Sequence, residues 1–362
     1  MIPIAKPLLG EEEKRAVAKV IDSGILASGP KTEEFEKEFA NYVGTKYAIA
    51  TTSGTTALHL ALLSLGVKKG DEVILPAFSF IATANAPLFC EAIPVFCDVN
   101  PRTFNIDPEK IKKLITKKTK AILPVHLYGQ PADMKPILEI AHEHDLSVIG
   151  DAAQAHGASY DGKMIGSFET LECFSFYPTK NMTTGEGGMI TTNNEQCAEK
   201  AISLRNHGRE KTKWGYEHGC LGYNYRMTDI AAAIGLEQLK KLPKFNEIRR
   251  KNASYYNEHL TSVEIPYILP NAQHAYHQYT VKSKQRDMLI QHLKKNEIGF
   301  GIYYPQPLHY FKHLKQYAHD DLKNSETLGN EVLSLPIHPA LTKDDLEKIV
   351  EVVNGAFQPP YK

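Results

Sequence analysis

The residues of this chain best suited to chemistry lie in CFSFYPTKNMTTGEGGMITT, Cys173 to Thr192, with Lys180 at the centre. Lys180 stands between two short β-prone runs, Cys173 to Tyr177 and Gly188 to Thr192. Upstream, Phe174, Phe176 and Tyr177 predict burial; downstream, Gly185, Gly187 and Gly188 let the backbone approach a ligand closely. A lysine drawn into such a site loses solvation, so its cation is disfavoured and its amine becomes a nucleophile able to form a Schiff base. The competing account is an ordinary solvated surface lysine.

Three other stretches offer complementary groups. In YAIATTSGTTALHLALLSLGV, the β-prone Tyr47 to Ala50 passes through a small-residue turn into an apolar helix from about Thr56 to Leu65. The first N–H groups of such a helix have no partner and, with the positive end of its dipole, suit a phosphate. A plain Ser/Thr N-cap fits the same letters. Asp151 follows the predicted strand LSVIG, which sets its carboxylate at a sheet edge unless it caps the next helix. The aromatic loop Phe78 to Phe80, within PAFSFIATANA, follows another strand.

The elements that must position these groups alternate between strand and helix. Glu11 to Ser23 reads as an amphipathic helix ended by Gly24, and Thr32 to Tyr42 as a second helix. Predicted strands at Asp71 to Leu75, Pro94 to Phe96, Ala121 to His126 and Leu146 to Gly150 are separated by helices that include Ile106 to Ile115 and Pro136 to His144. Short apolar strands spaced by helices predict an α/β fold with a mainly parallel central sheet between helices. Ligands bind such sheets at the carboxyl ends of the strands, where the turn at Ser53, the Phe78 to Phe80 loop, Asp151 and Lys180 would converge. A helix from about Thr228 is expected to end at Pro243. Beyond it, a helix at Glu247 to Leu260 and β-prone segments at Tyr276 to Lys282 and Gly299 to Tyr304 predict a smaller α+β domain. The expected division is a large domain over 1–243 and a small one over 244–362.

Composition narrows the class. At 362 residues and 42% hydrophobic content the chain can bury a large core, and its length favours two domains. Lys+Arg and Asp+Glu balance at 42 each, so no net field attracts nucleic acid or an anionic membrane. No stretch approaches the roughly 18 apolar residues of a membrane span, the opening MIPIAKPLLGEEEKR lacks a signal-peptide pattern, and a cytoplasmic location is expected. The five cysteines (90, 97, 173, 197 and 220) are odd in number and lack CxxC spacing, as expected of reduced thiols without a metal site.

A phosphate cradle, a carboxylate, an aromatic loop and a desolvated lysine on one sheet edge match the needs of pyridoxal phosphate, whose ring acts as an electron sink. The segments SGTTALHLAL, PAFSFIATANA, DAAQAHGA, SFYPTKNMTTGEGG and GYNYRMTDIAAAIG resemble those of the DegT/DnrJ/EryC1/StrS family, the fold-type-I pyridoxal-phosphate aminotransferases of nucleotide sugars. The likeness runs from about Ile2 to the end of the chain and is strongest between Tyr47 and Leu242.

The resemblance implies roles residue by residue. Lys180 would be the Schiff-base lysine and then the acid/base of proton transfer. Asp151 would pair with the pyridinium nitrogen, Gln154 would touch the ring oxygen or face, and Phe80 would stack on the ring unless it is simply core. Gly54, Thr55, Thr56 and Ser175 would hold the phosphate, with Asn224 reaching it from the neighbouring subunit of a homodimer with shared sites. Arg226 would lie near the sugar or its diphosphate, unless it pairs with Asp229 or another acid. His156 reads as a hydrogen-bonded packing histidine.

The implied reaction is ping-pong transamination, with L-glutamate leaving as 2-oxoglutarate and a nucleotide-linked keto sugar receiving the amino group. Relatives that dehydrate the sugar have histidine at the position of Lys180, which points here to amination. GIYYPQPLHY, Gly301 to Tyr310, is similar to the HYPxPLH stretch of members that aminate C3, with Tyr303 in place of histidine and His309 retained; both would contact substrate. A 3-keto sugar is therefore expected, with a 4-keto sugar as the alternative. A non-catalytic cofactor-binding regulator and an enzyme of free amino acids are the other classes. Against the latter, Arg286 is the only arginine from Asn252 onward and lies in the charged run KSKQRD.

Overall fold

The computed structural model describes residues 1–319 and 321–357; the final residues of the expected small domain lie outside it. Helices α1 (Glu11–Ser23) and α2 (Pro30–Val43) open the chain. Strand β1 (Tyr47–Thr51) leads directly into α3 (Gly54–Ser64), GTTALHLALLS, which is apolar on nearly every face and accordingly buried. There follow β2 (Glu72–Pro76), α4 (Ile81–Phe89), β3 (Ile93–Cys97), β4 (Thr119–Ile122), α5 (Met134–Glu143), β5 (Ser147–Asp151), β6 (Leu171–Ser175), β7 (Gly188–Thr192) and α6 (Glu195–Arg205).

These strands form one seven-stranded sheet in the order β1-β7-β6-β5-β4-β2-β3. Pairing is parallel except at β7, which runs antiparallel to both neighbours. The carboxyl ends of β1, β2, β5 and β6 therefore share one edge, and β7 starts there, Gly188 lying opposite both Thr51 and Ser175. The sheet is buried between helices, as the continuous apolar strands predict.

Two local readings are corrected. The helix expected over Ile106 to Ile115 is a single α-turn, Pro108–Ile111, followed by a 3-10 turn. Ile106 instead bridges Val99 in extended form, and the Asp107 side chain accepts from Glu109 N, capping a helix that begins with proline. Pro243 does not end its helix: α7 runs unbroken from Asp229 to His259. Leu239, Leu242, Asn246 and Arg249 are all buried around that proline, and their packing outweighs the lost backbone hydrogen bond.

The C-terminal part contains β8 (Tyr279–Lys282), α8 (Arg286–Lys295), α9 (Lys323–Glu331), β9 (Val332–Leu335) and α10 (Lys343–Gly355). β8 and β9 pair antiparallel, but Gly299 to Tyr304 contributes only a bridge between Gly301 and Ser334. A separate apolar cluster joins β8, α8, β9 and α10 through Tyr279, Leu293, Leu333 and Ile349. Ala253 and Tyr256 of α7 belong to it, as does Ile2, which bridges Ile298. The boundary expected after residue 243 thus falls inside a helix that the two apolar cores share. Among the described residues no helix is long and apolar enough to cross a membrane.

Candidate active site

Lys180 lies in the turn after β6, its N–H donating to the Tyr177 carbonyl at 2.9 Å. The turn is pinned on both sides: Phe176 N donates to Gly187 O (2.8 Å), and Asn181 Nδ2 donates to Asn246 Oδ1 (2.8 Å) and Ala275 O (2.9 Å). Below it, Phe174 and Phe176 pack against Phe35 and Phe39, with Phe39–Phe174 centroids 5.1 Å apart. The aromatic residues that predicted burial are thus the floor of the turn. Lys180 as a residue is half-buried, while its amine end is enclosed. Burial lowers the basicity of that amine to about 8, against an opposing pull from the Asp151 carboxylate.

Asp151 is buried at the end of β5. One carboxylate oxygen accepts from Thr83 Oγ1 at 2.8 Å and the other from Ala153 N at 3.2 Å. No helix follows it, so the helix-cap alternative falls away. Burial pushes its carboxyl up, while the bond from Thr83 and the nearby Lys180 act in the opposite direction. Gln154, also buried, accepts from Tyr128 N (2.7 Å) and donates to the Tyr304 hydroxyl (3.1 Å). Phe80 is not core: it is 52% exposed at the start of α4, its ring 5.9 Å from that of Tyr304, whereas Phe78 is fully buried.

The turn between β1 and α3 is a capping box in which Thr56 N donates to Ser53 Oγ (3.2 Å) and Ser53 N donates to Thr56 Oγ1 (3.0 Å). The Thr56 hydroxyl also donates to Ser53 O (2.8 Å), so that side chain shapes the turn. The first helical bond runs from Ala57 N to Ser53 O, leaving the N–H groups of Gly54 and Thr55 ahead of it. A Cβ on Gly54 would lie 2.8 Å from Ser175 Cβ and 3.3 Å from Ser175 Oγ, so helix terminus and serine hydroxyl stand side by side. Backbone donors, a helix dipole and a hydroxyl make a cradle that fits a phosphate. Gly54→Ala is expected to weaken pyridoxal-phosphate binding about 10- to 100-fold through this collision, as read by cofactor titration, and to lower the melting temperature because Ser175 must shift to admit the methyl group.

Arg226 donates to Asn206 Oδ1 at 2.8 Å. It does not pair with Asp229, whose carboxylate accepts from Gly29 N, Lys31 N, Thr32 N and Thr32 Oγ1 at the start of α2. Asn224 is exposed and bridges Asn206 through its backbone. Tyr303 is half-buried, its carbonyl accepting from the Tyr128 hydroxyl. His309 is buried, its Nε2 3.2 Å from Glu326 Oε1 and its ring beside Phe96. His156 packs between Phe174 and Phe176, and burial pushes its basicity down to about 3.

Thr83, Tyr128 and Tyr304 were not foreseen. Thr83 carried a readable signal, because it follows Phe80 within the same PAFSFIATANA segment and lies in the first turn of α4. Tyr128 and Tyr304 reach Gln154 from separate segments, and no spacing in the sequence relates them. Among the described residues no cluster of His, Cys, Asp and Glu could hold a metal ion.

This geometry agrees with comparisons to known proteins. Residues 7–354 match the DegT/DnrJ/EryC1/StrS aminotransferase family. A GDP-perosamine synthase of Caulobacter vibrioides is 43% identical, over 98% of this chain and 97% of its own. A UDP-N-acetyl-3-dehydro-alpha-D-glucosamine 3-aminotransferase of Acidithiobacillus ferrooxidans is 40% identical, over 95% of this chain and 94% of its own. The crystal structure of DesV from S. venezuelae superposes with a TM-score of 0.93 at 37% identity, covering 96% of this chain and 95% of that one. With the sheet edge, the lysine turn and the matched length all in accord, the chain belongs to the DegT/DnrJ/EryC1/StrS aminotransferase family.

Proposed function

We propose that this protein transfers an amino group from L-glutamate to the keto carbon of a nucleotide-linked sugar, with pyridoxal phosphate as cofactor. The observation that carries the reading is the placement of the Lys180 amine, the Asp151 carboxylate and the Gly54–Ser175 cradle on one sheet edge. The N–H groups of Gly54 and Thr55 and the Ser175 hydroxyl would hold the phosphate, and Asn224 from a second copy of the chain would complete its cover. Asp151 would hold the ring nitrogen, Phe80 the ring face and Gln154 the ring oxygen. When bound, the cofactor supplies an electron sink for the bonds that change at the amino-bearing carbon.

The chain's own residues do the rest. Burial lowers the basicity of the Lys180 amine to about 8, so it can take up or release a proton close to working pH. Thr83 and Ala153 N fix the direction in which Asp151 presents its charge. Tyr128 and Tyr304 hold both ends of the Gln154 amide, which leaves it little freedom to turn. Arg226 supplies positive charge for a diphosphate.

The GIYYPQPLHY stretch supports amination at C3. Amination at C4 is the second reading, favoured by Tyr303: it replaces the histidine of the C3 stretch, and its backbone is tied to Tyr128. A half-reaction assay is the test. With glutamate alone the holoenzyme is expected to release about one 2-oxoglutarate per site. UDP-, dTDP- and GDP-linked 3-keto and 4-keto sugars are then supplied in turn, and NMR locates the new amine. An amine at C4 replaces the first reading with the second. No 2-oxoglutarate and no aminated sugar overturns both.

A further inference from the structure

Behind Asp151 lies a buried polar pair that the proposed reaction does not use. His126 follows β4 and Glu172 lies on β6; both are completely buried, with His126 Nε2 3.1 Å from Glu172 Oε2. The tautomer is set by the surroundings. Ala132 N donates to His126 Nδ1 at 3.0 Å, so the ring proton sits on Nε2 and is donated to Glu172. Thr170 Oγ1 donates to the other carboxylate oxygen at 2.9 Å. Glu172 therefore accepts at both oxygens and faces a neutral imidazole, which leaves one buried negative charge without a cation.

That charge is built against the strand that carries Asp151. Glu172 is the register partner of Gly150, and a Cβ on Gly150 would lie 1.8 Å from Glu172 Oε2. Only glycine leaves room for the carboxylate beside the residue preceding Asp151. His126 N donates to the Asp151 carbonyl at 3.0 Å, so the imidazole and the backbone of Asp151 are joined as well. The thiol of Cys173 lies in reach of both carboxylates: burial pushes it up first, and Asp151 and Glu172 each push it further. Lys180, His126, Tyr304 and Cys173 are the ionisable groups that interact with Asp151, and Cys173, its register partner, feels the Glu172 carboxylate as well.

We propose that Glu172 and His126 are positioning residues for Asp151, fixing its strand end and adding a buried negative charge that reinforces its hold on a cationic ring nitrogen. The inference rests on the reading of Asp151 as the partner of that nitrogen. Glu172→Gln isolates the charge, because the amide oxygen accepts from His126 and the amide nitrogen donates to Thr170. The holoenzyme variant is titrated by the absorbance of bound pyridoxal phosphate against pH, with cofactor dissociation and melting temperature measured alongside. Loss of the charge is expected to lower the spectral midpoint by roughly 0.5–1 pH unit and weaken cofactor binding several-fold, at unchanged melting temperature.

Thr170→Val removes one donor to Glu172 while keeping shape and leaves the carboxylate charge less compensated, so a smaller shift in the opposite direction is expected; it decides the matter if Glu172→Gln fails to fold. Asp151→Asn is the reference. If Asp151→Asn moves the midpoint and neither other variant does, the role of Glu172 is overturned and that of Asp151 stands. If none of the three moves it, the reading of Asp151 falls too.

Discussion

Replacing Lys180 with alanine is expected to abolish transamination, with a loss of about 10⁴-fold or more, because in the proposed reaction the residue is both the point of cofactor attachment and the proton carrier. The absorbance of lysine-linked cofactor disappears in the same variant. Folding is not at stake, since the turn is held by Phe176, Thr183 and Asn181 and not by the lysine side chain. The sign of the pH effect follows from the depressed basicity. Between about pH 8 and the ordinary lysine value of 10.5 the unfolded chain binds the proton and the folded one does not, so this group makes folding more favourable as pH rises through that window. The Lys180→Ala apoprotein loses that rise. In the wild type, capture of pyridoxal phosphate by the apoprotein is expected to accelerate with a midpoint near pH 8, where an ordinary lysine is well under 1% neutral. Full activity in Lys180→Ala, measured by product formation from glutamate and a keto sugar, would falsify the assignment.

Asp151→Asn is the second large effect. The substitution keeps the shape and the bond from Thr83 but removes the charge that, in the proposed reaction, faces the ring nitrogen. A loss of roughly 10²–10³-fold in turnover is expected, the scale of removing one preorganised electrostatic partner. The signature that separates this from misfolding is cofactor that still binds and still attaches to Lys180, yet turns over slowly with glutamate in single-turnover measurements. Turnover within a factor of a few of wild type would remove Asp151 from the chemistry.

Much of the site was legible because its parts sit where strands end. Lys180, Asp151, Gly54 and Ser175 each lie within or just after a short apolar run, and the parallel sheet brings those ends together. Phe80 was ambiguous in sequence because an aromatic residue beside Phe78 reads as core; the chain turns into α4 there, burying one ring and exposing the other. Pro243 misled because proline is a local signal and the burial of Leu239, Leu242 and Arg249 around it is a tertiary one. Tyr128, Tyr304 and the His126–Glu172 pair were out of reach, since each works through contacts between segments far apart in the chain. The environment of His309 depends likewise on Glu326, a residue with no sequence relation to it.

The long helix α7 passes from one apolar core into the other without a break, and the first residues of the chain cross back, Ile2 joining the C-terminal cluster. Both crossings touch the lysine turn: Lys6, Pro7 and Leu8 from one, and Gln238, Phe245 and Arg249 from the other, line the cavity beside Lys180 and Asn181. The two halves are laced rather than hinged, so displacing one against the other must bend a rod instead of flexing a linker. Lys180 sits where both crossings meet, and its alignment is a matter of mechanical stiffness.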